Sequence, residues 1–266
     1  MHCLAPGLFR AISHGQRRRD KLEVIYRFGG GNQIEFSGPE PLGADDLRVL
    51  QGLVALAGLE SQSNEIEPVA VSETGTILRD LLDLRWAANQ QRVLVVRSSL
   101  RKLAKEVGYA NPRDTNTVRC CIERLWKVSV IAKVAGQRSG FRLLANYVSD
   151  TQTDGLFLAL NPLLTYAIMG NGRHVRIDMT EVRHLNGSIA RLLHQRLCAW
   201  VDCGQKRAVQ LDTLVAYAFP DEVSTATHRK RQSRVRKALD ELTALGWSIC
   251  EHAKGRFTIG RPALSR

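Results

Sequence analysis

The sequence predicts an α+β fold made of two copies of one helix, strand, helix, helix, hairpin unit, and three observations carry that prediction. Two helices share a spaced apolar stripe: Val118, Ile122, Leu125 and Val128 match Val235, Leu239, Leu242 and Leu245 at a constant offset, with Arg119 falling on Arg236. Each helix follows a strand-like run and a short capped helix, and each leads into two strand-like runs around a glycine-containing turn. The later copy ends in a long basic helix and a hairpin with a basic tip, which is the ending of a winged helix. The repeat therefore predicts two tandem winged-helix domains, each a helix-turn-helix plus a β-hairpin wing. The expected domains are residues 1–150, with an added N-terminal hairpin, and 151–266.

The elements follow in order. Leu22, Val24, Tyr26 and Phe28 alternate ahead of Gly29-Gly30-Gly31-Asn32, and the chain returns through Ile34 and Phe36, which predicts a hairpin over 21–37. A phosphate-loop reading of those glycines fails, because no Gly-Lys-Ser/Thr follows and the next segment is a strand rather than a helix. Residues 44–57 form a helix, with Asp45 and Asp46 in its first turn and Leu47, Leu50, Leu53, Val54 and Ala57 on one side. A polar loop over 60–75, a helix over 77–88 and a strand over 93–96 are expected next. Ser98 and Ser99 open a short helix that Gly108 closes, with Leu100, Leu103, Ala104 and Val107 inward. The helix over 115–128 then precedes strands over 130–135 and 141–147, around a turn at 136–140.

Between the copies, the expected elements are a strand over 156–160, a helix start at Asn161-Pro162 and a strand over 175–177. The second copy comprises a helix over 188–202, a strand over 208–211, a capped helix over 212–219 and the basic helix beginning near Thr225. Gly246 can end that helix, and strands over 247–253 and 256–259 meet at Lys254-Gly255.

Composition bounds the partner. The 266 residues carry a formal net charge of +12, with 44% hydrophobic and 24% charged residues, and the sequence pI is near 9.8. That balance suits a polyanion: DNA, RNA or an anionic membrane surface. No apolar run approaches the roughly 20 residues that span a bilayer, and no signal-peptide core is visible, so a cytoplasmic location is expected. The cysteines (Cys3, Cys120, Cys121, Cys198, Cys203 and Cys250) contain no C-x-x-C, so reduced, mostly buried thiols are expected and zinc is not. The histidines are scattered, and His194, between Leu193 and Leu197, reads as a packing or surface residue rather than a ligand. No cofactor is expected.

Charge is concentrated at the start of the last helix. Arg229, Lys230, Arg231, Arg234, Arg236 and Lys237 occur without an intervening carboxylate, and Asp240 and Glu241 follow only afterwards. A merely solvated helix face would intersperse both signs. Ser224, Thr225 and Thr227 can cap this helix and donate to phosphate. Opposite the Val235, Leu239 and Leu242 stripe lie Arg229, Lys230, Ser233, Arg234 and Lys237. Lys230, Arg234 and Lys237 are assigned to a DNA-facing surface, with Arg229 and Arg231 near the helix entrance. Arg234 is the candidate for direct readout, since arginine reads guanine bidentately, while the lysines suit phosphate. Lys254 and Arg256 are expected at the wing. In the first copy the matching residues are Thr115, Asn116 and Arg119 with Glu123, Arg113 before the helix and Arg138 on the wing turn. That surface is less basic and is expected to bind more weakly, as the second module of a two-site contact. An ion pair between Arg119 and Glu123 is the competing reading at that position.

Four stretches resemble the RepC replication initiators of IncQ-type plasmids: HCLAPGLFRA at 2–11, EFSGPEPLGADDLR at 35–48, CIERLWKVS at 121–129 and ARLLHQRLC at 190–198. The resemblance extends over nearly the full length and is weakest around 60–91 and 111–117. The run from Ser188 to Leu193 is also similar to the opening helix of the second winged helix of iteron initiators. The resemblance implies a protein that binds direct repeats, iterons, in a plasmid origin as double-stranded DNA. It further implies local duplex opening and work with a plasmid-encoded helicase and primase, and it leaves room for a homodimer. It implies no catalytic residue.

Other function classes lack their chemistry. A nicking enzyme needs a metal-binding histidine pair beside a nucleophilic tyrosine, and none of Tyr26, Tyr109, Tyr147, Tyr166 or Tyr217 has such neighbours. An ATP-driven opener needs a Walker-type loop. A membrane-surface helix needs bulky aromatics along its apolar side, and the basic helix has none. A winged-helix transcriptional repressor would use the same fold and charge, and only the family resemblance separates it from an initiator.

Overall fold

Two sets of three helices, each mutually packed, dominate the chain. The computed structural model describes residues 5–13, 15–59, 65–66, 93–111, 115–150, 154–161 and 175–263. The first set is α1 (Ala44–Leu59), α2 (Leu100–Glu106) and α3 (Thr115–Trp126). After the short α4 (Met179–His184), the second set is α5 (Ser188–Trp200), α6 (Leu211–Ala218) and α7 (Thr225–Ala244). α1 also packs on α5, and one apolar core runs through both sets. The expected stripes are the buried faces: Leu47, Leu50 and Leu53 of α1, Val118, Ile122 and Leu125 of α3, and Val235, Leu239 and Leu242 of α7. Each such side chain contributes about 1.5–3 kcal/mol through removal from water.

Local chemistry sets the helix ends. The Asp46 carboxylate accepts from the Gly43 N–H at 2.7 Å at the start of α1, and Ser99 Oγ accepts from the Lys102 N–H at 3.0 Å to cap α2. α5 begins at Gly187, which has no side chain with which to cap. Glu241 of α7 supplies the acceptor instead, taking the N–H groups of Asn186 at 3.1 Å and Gly187 at 2.9 Å. A carboxylate at a helix N-terminus also meets the positive end of the helix dipole.

The strands form three antiparallel sheets. β1 (Leu22–Phe28) and β2 (Asn32–Gly38) join β5 (Ser129–Val134) and β6 (Gln137–Arg142) in the order β1-β2-β5-β6. β3 (Glu65–Ile66), β4 (Val93–Ser99), β7 (Leu144–Ser149) and β8 (Gly155–Leu160) form a second sheet, ordered β3-β4-β8-β7. β9 (Lys206–Gln210), β10 (Ser248–Ala253) and β11 (Arg256–Gly260) form the third, ordered β10-β11-β9. β8 follows residue 150 in sequence and hydrogen-bonds to β4 and β7, which precede it.

Several expectations need correction. The turn of the β5–β6 hairpin is Ala135-Gly136, not 136–140: both residues have positive φ, 49° and 80°, which closes a two-residue turn and pairs Val134 with Gln137. Residues 137–142 are therefore strand, and β7 is a separate strand in another sheet. No strand forms at 175–177; the Arg176 carbonyl accepts from the Arg261 guanidinium at 2.6 Å, which takes the place of a ladder partner. Glu65 and Ile66, expected in a loop, pair with Leu94 and Val93. The helices expected at 77–88 and from Asn161-Pro162 lie outside the described residues. Among the described residues, α1 takes the place before α2 and α3 that α5 takes before α6 and α7.

Polar ties fix the elements to one another. Asp46, fully buried, accepts from Arg17 at 2.9 Å and Arg124 at 2.8 Å, joining the N-terminal segment, α1 and α3. The attraction holds the Arg124 guanidinium above its ordinary pKa, in spite of the burial that acts the other way. Arg10 reaches Asp221 at 3.1 Å and Asp20 at 3.0 Å, while the Ala11 N–H donates to the Ala218 carbonyl at 2.8 Å, so the N-terminal segment straps the end of α6. Arg183 meets Glu106 at 2.6 Å and Arg191 meets Asp45 at 3.3 Å.

Candidate nucleic-acid interface

α7 is oriented by what it buries. With Val235, Ala238, Leu239 and Leu242 in the core, the 3.6-residue period turns Ser233 and Lys237 directly outward, places Arg229 and Lys230 to either side of them and sets Arg234 on a flank. All five are exposed, and among the described residues none makes an ion pair with a carboxylate. Arg234 stands over the Phe219 ring with its guanidinium carbon 5.1 Å from the centroid, a contact that steadies the side chain without using its N–H donors.

The other cations of the run are engaged inside the chain. Arg231 lies over Phe219 at 4.8 Å and donates to the Asp221 carbonyl at 2.7 Å. Arg236 pairs with Glu251 of β10 and covers the Phe257 ring at 5.3 Å. Glu251 also accepts from the Gly255 N–H at 2.7 Å, and these two donors hold its carboxyl below the usual range. Helix and hairpin are thereby locked in register, leaving Lys254 and Arg256 exposed on either side of Gly255, whose φ of +75° makes the turn. At the start of α7, Asp212 of α6 meets His228 Nε2 at 2.9 Å and accepts from Gln232 at 2.8 Å, and the His228 and Gln232 bonds hold its carboxyl low. Ser224 stands at the N-cap and makes no side-chain cap bond; its hydroxyl faces the Thr227 hydroxyl at 3.2 Å, so the expected cap is absent. Thr225 and Thr227 are exposed in the first turn.

The corresponding helix of the first half is different. On α3, Asn116 is exposed, Thr115 and Arg119 are half-buried, and Arg119 Nε is buried with no hydrogen-bond partner among the described residues. The alternative ion pair between Arg119 and Glu123 does not form. Arg113 lies outside the described residues. Arg138, expected on a turn, stands on β6 directly opposite Lys133 of β5. The periodicity in the sequence identified Lys254, Arg256 and the α7 face, but cross-strand neighbours such as Lys133 carry no signal until the register is known.

Glu181, His194 and Cys198 are the grouping of metal-ligating atoms that stands out among the described residues, all within 4.8 Å of one another. They are knit as a polar joint: Glu181 meets His194 Nε2 at 2.6 Å and accepts from Trp247 Nε1 at 3.2 Å. Burial pushes the Cys198 thiol up to about 12, so it stays protonated near neutrality.

Comparison with known proteins gives the family. The model of the family described as Replication protein C (RepC) matches residues 1–263. The chain belongs to the RepC family of replication initiators. No curated protein matches it. Among solved structures, the chain is similar to the crystal structure of domains 2 and 3 of RctB, with a TM-score of 0.60 and 11% identity over 95% of both chains. It is likewise similar to a selenomethionine derivative of RctB domains 2 and 3, with a TM-score of 0.59 and 10% identity over 94% of this chain and 93% of that one. At such identities the likeness is one of fold.

Proposed function

We propose that this RepC protein initiates plasmid replication by binding iteron repeats in duplex DNA through two winged-helix domains, residues 1–150 and 151–266. α7 is the recognition helix of the second domain and the β10–β11 hairpin its wing; α3 and the β5–β6 hairpin are the equivalents in the first. The observation that carries this reading is the α7 face, where Arg229, Lys230, Ser233, Arg234 and Lys237 are exposed and, among the described residues, free of carboxylate partners, while the opposite face is fixed in the core. In the major groove Arg234 reads guanine, and Lys230 and Lys237 hold phosphates. Thr225, Thr227, Arg229, Lys254 and Arg256 add backbone contacts, and Arg231 holds the helix entrance against Phe219. On the first domain Thr115, Asn116 and Arg119, with Arg113, make the weaker contact. The protein does no covalent chemistry in this scheme: binding to adjacent repeats distorts the duplex, which then admits the plasmid helicase and primase.

A footprint on origin DNA with tandem repeats tests the reading. Periodic protection of the repeats is expected, with log affinity falling by about 0.9 per log unit of salt for each phosphate neutralised. Protection of a promoter operator in place of the repeats would make the protein a winged-helix repressor.

A further inference from the structure

The face of the first sheet that the helices leave uncovered carries a line of cations that no sequence pattern displays. In an antiparallel ladder, directly opposed residues share a face. The register runs Arg27 to Gln33, Gln33 to Lys133, and Lys133 to Arg138, so four neighbouring strands contribute one transverse row. The adjacent register, Tyr26, Ile34, Ala132 and Ser139, points the other way, with Ile34 and Ala132 in the core. Arg27, Lys133 and Arg138 are exposed, and none has an ion-pair partner among the described residues. At about 4.8 Å per strand the row is roughly 14 Å long. The carboxylates on the same face are Glu35, one row away and bonded to Gln33 at 2.7 Å, and Glu23 in the row beyond.

The platform is also braced. The Asn32 side chain donates to the Gly29 carbonyl at 2.6 Å and accepts from the Ala135 N–H at 3.0 Å, tying the two hairpin turns together beside the row. Next to Arg138 along the outward face of β6 stands Gly140, so no side chain shields the backbone there. β6 is an edge of the sheet, and a cationic edge resists pairing with a strand of a second copy.

We propose that this face, through Arg27, Lys133 and Arg138, binds the sugar-phosphate backbone of duplex DNA. The first domain, whose helix α3 is poor in cations, thus holds DNA mainly through its enlarged sheet. The idea rests on the reading of the chain as a duplex-DNA binder, and it adds the N-terminal hairpin to the contact. A flat cationic row meets several phosphates of a duplex, which presents one charge per about 1.7 Å of axis, and it reads no base.

Two measurements test it. In the unaltered protein, lysine acetylation is followed by mass spectrometry with and without a duplex of tandem origin repeats. Protection of Lys133 together with Lys230 and Lys237 is expected. Protection of Lys230 and Lys237 with Lys133 unchanged would overturn the sheet contact and leave the α7 reading standing; protection of none would overturn both. In the second, the variant Arg27→Gln, Lys133→Gln, Arg138→Gln should lose roughly tenfold or more in affinity for the repeats and for a scrambled duplex alike. Its salt slope should become shallower by about 2.7, three phosphates' worth. Unchanged affinity and slope would sink the proposal, and so would a variant that binds DNA normally but no longer self-associates, because the face would then belong to a protein contact.

Discussion

α3 and α7 are built on the same stripe, yet they present opposite characters to solvent. On its outer face α7 offers Arg229, Lys230, Ser233, Arg234 and Lys237, exposed and without carboxylate partners among the described residues, whereas α3 offers Asn116 with Thr115 and Arg119 half-buried. The hairpins differ too. β11 pairs with β9 of its own half, but β5 pairs with β2 of the N-terminal hairpin, and β4, the counterpart of β9, goes to a different sheet. Keeping the inner face fixes how a helix packs, and it leaves the outer face free to diverge.

The largest effect expected is on α7. Lys230→Gln, Arg234→Gln and Lys237→Gln combined should cost about 10³-fold in repeat affinity with unchanged circular dichroism, while Thr115→Ala, Asn116→Ala and Arg119→Ala combined should cost under about tenfold. Fluorescence anisotropy checks both, and equal losses would erase the contrast. Asp46→Ala, which leaves Arg17 and Arg124 facing each other in a buried site, should lower stability by about 3 kcal/mol in urea unfolding. Nothing comparable is expected for Asp212→Ala, whose bonds to His228 and Gln232 are exposed.

Helix caps separate the halves further. Ser99→Ala removes a made cap bond and should cost about 1 kcal/mol, while Ser224→Ala, which removes none, should cost only a few tenths. Gly187→Ala places a Cβ 2.3 Å from Glu241 Oε1; it displaces the carboxylate that caps α5 and should also cost about 1 kcal/mol. All three are read from thermal midpoints.

The smallest effect is with pH. Asp212 and Glu251 both have folded pKa values below the ordinary carboxylate value. A depressed acid contributes stability that is present above the unfolded value, about 4, and is lost as pH falls through the folded one. Amide exchange in the first turns of α7 and in β10–β11 should therefore rise below about pH 4. A rise on the alkaline side instead would contradict the assignment.

The helices were legible because their apolar positions repeat: Val118 to Leu125 and Val235 to Leu242 name the buried faces by spacing alone, and the cations of α7 fall opposite by helix geometry. The same rule leaves Arg236 off the outward face but could not show what holds it or Arg231, since Glu251, Asp221 and Phe219 meet them only across the fold. The two-residue turn at Ala135-Gly136 was missed because its first residue is an alanine held at positive φ, and local sequence gives such a residue no reason to be there.

By itself the sequence determined the α3 and α7 stripes, the concentration of positive charge at the start of α7 and the family, because these depend on spacing and residue type along the chain. Only the tertiary structure decided which cations are free and which are tied, and that Arg27, Lys133 and Arg138 stand in one row. Strand register and long-range ion pairs are fixed by contacts between segments far apart in the chain, so no local window of sequence contains them.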